Sequence, residues 1–337
     1  MLTKRFELPP RLRNAEGRVR RAGFEFEYAG VGIERSADLV IQVFGGKKDR
    51  RSRFCMKVVG SRYGDFSIES DSSLLKEQKY DAFFRAFGLE PGQSDFAARL
   101  EDWIETVSED LVPYEIVTPP IPFTELDCVD ELRTTLQSSG AQGTNAHIYS
   151  AYGLQFNPEM PSFDVDTLLG FMRAFLLLYD CIAVTTDLPV ARRVLPYINP
   201  FDPKYVAKVV DPVYAPDLET FMRDYLEANP TRNRPLDWLP LFAWLNKDLV
   251  FEYPVEKNLI KPRPTLHYRL PSSLIDDPNW SIADDWNKWM KVERLASDPQ
   301  NMRILMSDWG QIHSGFQMRS ESRWVMRANE WLNGDVR

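Results

Sequence analysis

The most regular stretch of the chain is Gly23-Phe24-Glu25-Phe26-Glu27-Tyr28, where aromatic and acidic residues alternate. A period of two is that of a β-strand. It sends Glu25 and Glu27 to one face and Phe24, Phe26 and Tyr28 to the other. After Tyr28 the period lengthens. Ile33, Ala37, Val40, Ile41 and Phe44 fall at helical spacing, and Gly45-Gly46 offers a left-handed cap. The charged run 47–51 predicts a solvated hairpin turn, followed by strands over 53–59 and 65–70. Helices are expected over 81–87 and 94–107. A further strand, 112–118, carries Glu115 as its only charge and stops at Pro119-Pro120.

Thr124 and Asp127 have the form of a capping box for a helix to about 139. The next strand, 145–149, would present Asn145, His147 and Tyr149 together. A long apolar helix follows over 165–181. The region 189–258 reads as proline-punctuated helix, with pieces at 192–195, 203–210, 218–228 and 238–246. Strand character returns at 262–271, where Thr265, His267 and Arg269 share a face. The remainder is helical, including 281–296 behind a second capping box (Ser281, Asp284) and 322–332. Together these elements predict an α+β fold: an antiparallel sheet with helices packed on one face, plus helical insertions and C-terminal helices. The expected divisions are an arm over 1–19, a catalytic domain over 20–271 with insertions at about 76–110 and 189–258, and an extension over 272–337.

Composition narrows the class. The chain has 337 residues, 44% of them hydrophobic and 27% charged, as a folded globular protein requires. Its 41 Lys and Arg against 49 Asp and Glu leave −8, which argues against nucleic acid as the main partner. Cys55, Cys128 and Cys181 are far apart and form no CxxC, so reduced thiols in a cytoplasmic protein are expected. The apolar run 171–184 is broken by Arg173 and Asp180, and no membrane partner is expected. No secretory signal is read at the N-terminus. Arg13, Arg18, Arg20 and Arg21 read as surface decoration. Phosphate loops, dinucleotide fingerprints, GxSxG elbows and HExxH are absent.

Several separated strands thus offer acceptors or cations on one face: Glu25 and Glu27, Asp71 beyond 65–70, Glu115, His147 and Arg269. Carboxylates with one imidazole suit magnesium or manganese. An arginine late in the chain, with Lys261 and Arg263 nearby, suits a triphosphate. Each residue has a plainer alternative, an edge-strand carboxylate, a turn cap or a structural histidine.

The ordered series GFEFEY, a helix ending in GG, DSSL, YEIVTPP, NAHIY and TLHYRLP resembles the amidoligase family over about residues 20–271. That family is related to glutamine synthetase and glutamate–cysteine ligase, the carboxylate–amine ligases. The resemblance implies a glutamine synthetase-like catalytic fold and an ATP- and magnesium-dependent enzyme that makes an amide through an acyl phosphate, with small-molecule or peptide carboxylate and amine substrates. It implies Glu25, Glu27, Glu115, His147 and Asp71 as metal ligands. Arg269 and Glu115 would be catalytic, and Arg269, Lys261, Arg263 and His267 would contact the nucleotide. Two positions depart from the family pattern: Tyr149 where a second histidine is common, and His267 where a glutamate is usual. Those departures keep a non-catalytic nucleotide- or peptide-binding relative as the alternative.

Overall fold

The computed structural model describes residues 4–70, 113–144, 152–186, 198–314 and 320–332. Its frame is a nine-stranded antiparallel sheet. The strands are β1 (Arg21–Tyr28), β2 (Lys47–Arg50), β3 (Cys55–Val59), β4 (Phe66–Ser70), β5 (Tyr114–Val117), β6 (Ile121–Pro122), β7 (Leu154–Pro158), β8 (Leu236–Asp237) and β9 (His267–Tyr268). They run in the order β2-β3-β4-β5-β1-β7-β9-β8, with β6 paired to the start of β1. The alternating pattern of 23–28 therefore occupies the middle of the sheet.

Ten α-helices accompany it among the described residues: α1 (Ile33–Phe44), α2 (Asp127–Ser138), α3 (Val165–Thr185), α4 (Pro203–Val210), α5 (Leu218–Ala228), α6 (Leu239–Leu245), α7 (Lys247–Phe251), α8 (Ile282–Ala296), α9 (Pro299–His313) and α10 (Ser320–Leu332). The aromatic face of β1 is covered by helix. Trp286 of α8 lies 6.1 Å from Phe24, 5.9 Å from Phe156 and 4.9 Å from Phe123, ring centre to ring centre. Trp289, one turn on, meets Tyr268 of β9 at 5.3 Å. Burial of such aromatic surface is the main force holding helix to sheet.

Helix α3 is long and apolar enough to cross a bilayer by length and composition, yet most of its apolar side chains are buried inside this protein. Arg173, expected to interrupt that run, instead donates to the carbonyl oxygens of Val209 at 2.9 Å and Tyr214 at 2.5 Å. All three cysteines are free.

The capping box expected at Thr124 does not form. A 3-10 turn, Phe123–Glu125, precedes α2, and no side chain caps the helix. Thr124 lies within that turn and Asp127 is itself the first residue of α2, so neither stands at a capping position. The second box, Ser281 with Asp284, forms as expected. Lys47–Arg50 is not a turn but an edge strand, its charges paired with Glu34 and Asp38 of α1. Charged side chains on a sheet edge discourage pairing with other chains. The strand expected over 262–271 shrinks to His267–Tyr268, because Pro262, Pro264 and Pro271 cannot donate to a ladder. β7 was not anticipated; Gln155 and Asn157 make it a poor strand former on propensity. The helices expected at 81–87, 94–107 and 192–195 and the strand at 145–149 lie outside the described residues.

Arg20 corrects a second expectation. It is not surface decoration but fully buried, on the helical side, where it forms a bidentate pair with Glu293 of α8 at 2.7 and 2.9 Å. Its remaining reach is used on the carbonyls of Glu159 and Arg11.

Candidate active site on the polar face of the sheet

Register decides which side chains meet. Glu27 lies opposite Glu115 across β1 and β5, and Glu115 lies opposite Glu69 across β5 and β4. Directly opposed residues of an antiparallel pair point the same way. Three glutamates from three strands thus form one row on the face away from the helices. The Glu27 N–H donates to the Gly153 carbonyl, away from β5. Glu27 and Glu115 are therefore a non-hydrogen-bonded pair, the kind with Cα atoms about 4.5 Å apart and side chains closest. Glu25 occupies the same face one step along β1, roughly 6–7 Å from Glu27 by strand rise.

Each carboxylate is held by its surroundings. The Gly153 N–H donates to Glu27 Oε2 at 2.5 Å, and the Ser67 hydroxyl donates to Glu69 Oε1 at 2.7 Å. Asn157 Nδ2 donates to Glu25 Oε1 at 2.7 Å, while Gln155 Nε2 donates to Asn157 Oδ1 at 2.8 Å. Arg263 Nη1 stands 3.7 Å from the same Glu25 oxygen. The face thus changes sign along the sheet. It is acidic over β4, β5 and β1, amide-bearing on β7, and basic toward β9.

At the β9 end His267 lies opposite Asp237 of β8, with Nδ1 4.0 Å from Asp237 Oδ2. Asp237 is fully buried, and its Oδ2 accepts from Arg269 Nη2 at 3.1 Å. Its Oδ1 accepts from the Leu239 N–H at 2.9 Å. Burial raises the Asp237 carboxyl above its ordinary range, against the pull of Arg269 and Arg232. Burial likewise drives the His267 imidazole well below its ordinary value, with Arg263, Arg269 and Arg232 pushing the same way. His267 is neutral at physiological pH. Burial also lowers Arg232, with Arg269 nearby adding to the effect.

Of the expected site residues, the structure brings Glu25, Glu27 and Glu115 onto one face, with Arg263 beside Glu25 and with His267 and Arg269 joined through Asp237. Lys261 is exposed. Asp71 and His147 lie outside the described residues, as does Tyr149. Among the described residues, no three His, Cys, Asp or Glu side chains gather closely enough to hold a metal ion by themselves. Sequence reasoning did not assign Glu69, Gln155, Asn157, Arg232 or Asp237. Asp237 carried the signal that singled out Glu115, one charge within an apolar stretch, here Pro235-Leu236-Asp237-Trp238-Leu239. Arg232 carried none.

Among known families, a model described as "Putative amidoligase enzyme" matches residues 18–291. No curated protein and no solved structure matches the chain.

Proposed function

The chain belongs to that amidoligase family of ligase-type enzymes, and from this premise we propose that it is an ATP- and magnesium-dependent carboxylate–amine ligase. The observation that carries the reading is the row Glu69, Glu115 and Glu27 on one face, with arginines at the other end of the same face. Like charges on adjacent strands repel unless cations lie among them. Oxygen donors suit magnesium, which binds through one or two protein carboxylates together with substrate phosphates and water. A described set that does not enclose an ion alone fits that habit. Glu27 and Glu115 would hold the cation, with Glu25 and Glu69 beside them, and the ion would neutralise phosphate charge.

The protein's part in such a reaction is positioning and charge compensation. Arg269 and Arg263 would face the phosphates. Asp237 fixes Arg269 in place and Glu25 restrains Arg263, so neither guanidinium must be ordered when substrate arrives. The γ-phosphoryl would pass to a substrate carboxylate oxygen, giving an acyl phosphate and ADP. An amine would then attack the acyl carbon and release phosphate, leaving the amide. No side-chain nucleophile is required.

The test is phosphate release from magnesium–ATP, with a panel of amino acids as carboxylates and ammonium as the amine. Release should need both partners, and Glu27→Gln should lower it at least about a hundredfold. Nucleotide binding without any release would turn the reading into that of a binding protein. Release indifferent to Glu27 would end it.

A further inference from the structure

Where β8 and β9 close the sheet, three guanidinium groups (Arg232, Arg263, Arg269) meet two carboxylates (Glu25, Asp237). Glu256 also acts on Arg232, and the three arginines all act on His267. His267 is 3% exposed, yet neither ring nitrogen has a hydrogen-bond partner among the described residues. Arg232 Nε is likewise sealed from solvent and unpartnered.

A neutral imidazole always carries one N–H, so a buried donor is being left unused. Leaving it so is costly, and buried polar groups are normally satisfied. The neighbours able to take that proton stand out of reach or are turned elsewhere. Asp237, which accepts from Arg269 and from the Leu239 N–H, has its nearer oxygen 4.0 Å from His267 Nδ1, too far for a hydrogen bond. Pairing of Phe156 with Tyr268 sets Asn157 beside His267, but the Asn157 carbonyl oxygen is turned to Gln155 and makes no bond with the imidazole. What is missing among the described residues is an acceptor, and the three arginines around His267 favour an anionic one.

We propose that His267 and Arg232 together form an oxyanion subsite, donating to a carboxylate or phosphoryl oxygen of a substrate, with Arg263 at its edge. The inference deepens the ligase reading, on which the word substrate rests. The anion itself could be the nucleotide's or the carboxylate partner's, and the two are separable.

The chain has three histidines, His147, His267 and His313, so imidazole NMR of the full chain is readable. His267 is assigned by the signal that vanishes in His267→Gln. His313, bonded through Nδ1 to the Trp309 carbonyl oxygen, serves as an internal reference. Tripolyphosphate and glutarate are added separately. We expect one of them to move the His267 signal and leave His313 alone, and Arg232→Gln to weaken that anion about tenfold or more. A tripolyphosphate response displaced by ATP assigns the subsite to the nucleotide. A glutarate response that ATP leaves intact assigns it to the carboxylate partner. If Arg232→Gln fails to fold, Arg232→Lys, which keeps charge but loses the planar fork, must show the weakening. A His267 signal deaf to both anions, or an Arg232 variant that binds like the wild type, overturns the proposal. If His267 responds but phosphate is never released, the ligase reading falls and the subsite stands. The converse removes the subsite alone.

Discussion

Two arginines, Arg20 buried and Arg232 half-buried, lie on opposite sides of the sheet and are treated differently. On the helical side Arg20 has its fork matched to Glu293, whose Oε1 also accepts from Trp289 Nε1 at 3.1 Å, and its other N–H groups end on carbonyls. On the polar side Arg232 and His267 keep donors that no described residue satisfies, within reach of an aspartate whose charge burial disfavours. The first arrangement is finished by the fold itself. The second is incomplete among the described residues, and on the proposal above an anion completes it. Unsatisfied interior donors lower stability, and the proposed subsite gives those of Arg232 and His267 a role that offsets the cost.

The contrast can be broken by experiment. Arg20→Met leaves Glu293 buried without a counter-charge and should cost about 3–5 kcal/mol in urea unfolding. Adding Glu293→Leu should return most of that loss, since an apolar pair of similar volume fills the space. A single variant as stable as the wild type would mean that the pair is not the finished structure described above.

His267 should show itself through pH. Its folded value lies well below 6.5, so below that pH the unfolded chain takes up a proton that the folded chain refuses. The stability is full above pH 6.5 and is lost as pH falls toward the folded value, by about 1.4 kcal/mol per pH unit from this group. His267→Gln should flatten that part of the slope between about pH 6.5 and pH 5.5. An identical slope in both proteins would place the imidazole in water instead.

Asp237→Asn should have the smallest effect on stability, a loss of about 1 kcal/mol at neutral pH. Burial already disfavours its charge, but the carboxylate meets Leu239 and Arg269 with different oxygens and the amide has one acceptor, so one of the two bonds is lost. A loss as large as that of Arg20→Met would show that the polar side is as structural as the helical one.

The fold's centre was readable because one physical signal dominated it. Alternation in 23–28 is strict, so both faces of β1 followed, and Pro119-Pro120 marked the end of β5 where Glu115 sits. The helices 203–210 and 218–228 were legible to the residue, since Asp202 and Asp217 cap them. What could not be read was pairing across long separations. No local pattern says that Glu115 stands between Glu27 and Glu69, because register is set by packing of the opposite face. Arg20 was misjudged for a related reason. Its partner is 273 positions away, and a buried arginine looks like a surface one until its carboxylate is found. Asp237 was missed although its apolar flanks resembled those of Glu115, because β8 is two residues long and lies in a region read as helix.

The tie between Arg20 and Glu293 also bears on where this protein may be cut. Family likeness runs from residue 18 to 291 and so includes the guanidinium while stopping just short of the carboxylate that neutralises it. A fragment trimmed to the extent of likeness would seal a lone cation behind its central strand and forfeit the last turn of the helix that covers Phe24. Similarity ends at one place and self-sufficiency at another, and expression of the enzyme should follow the second.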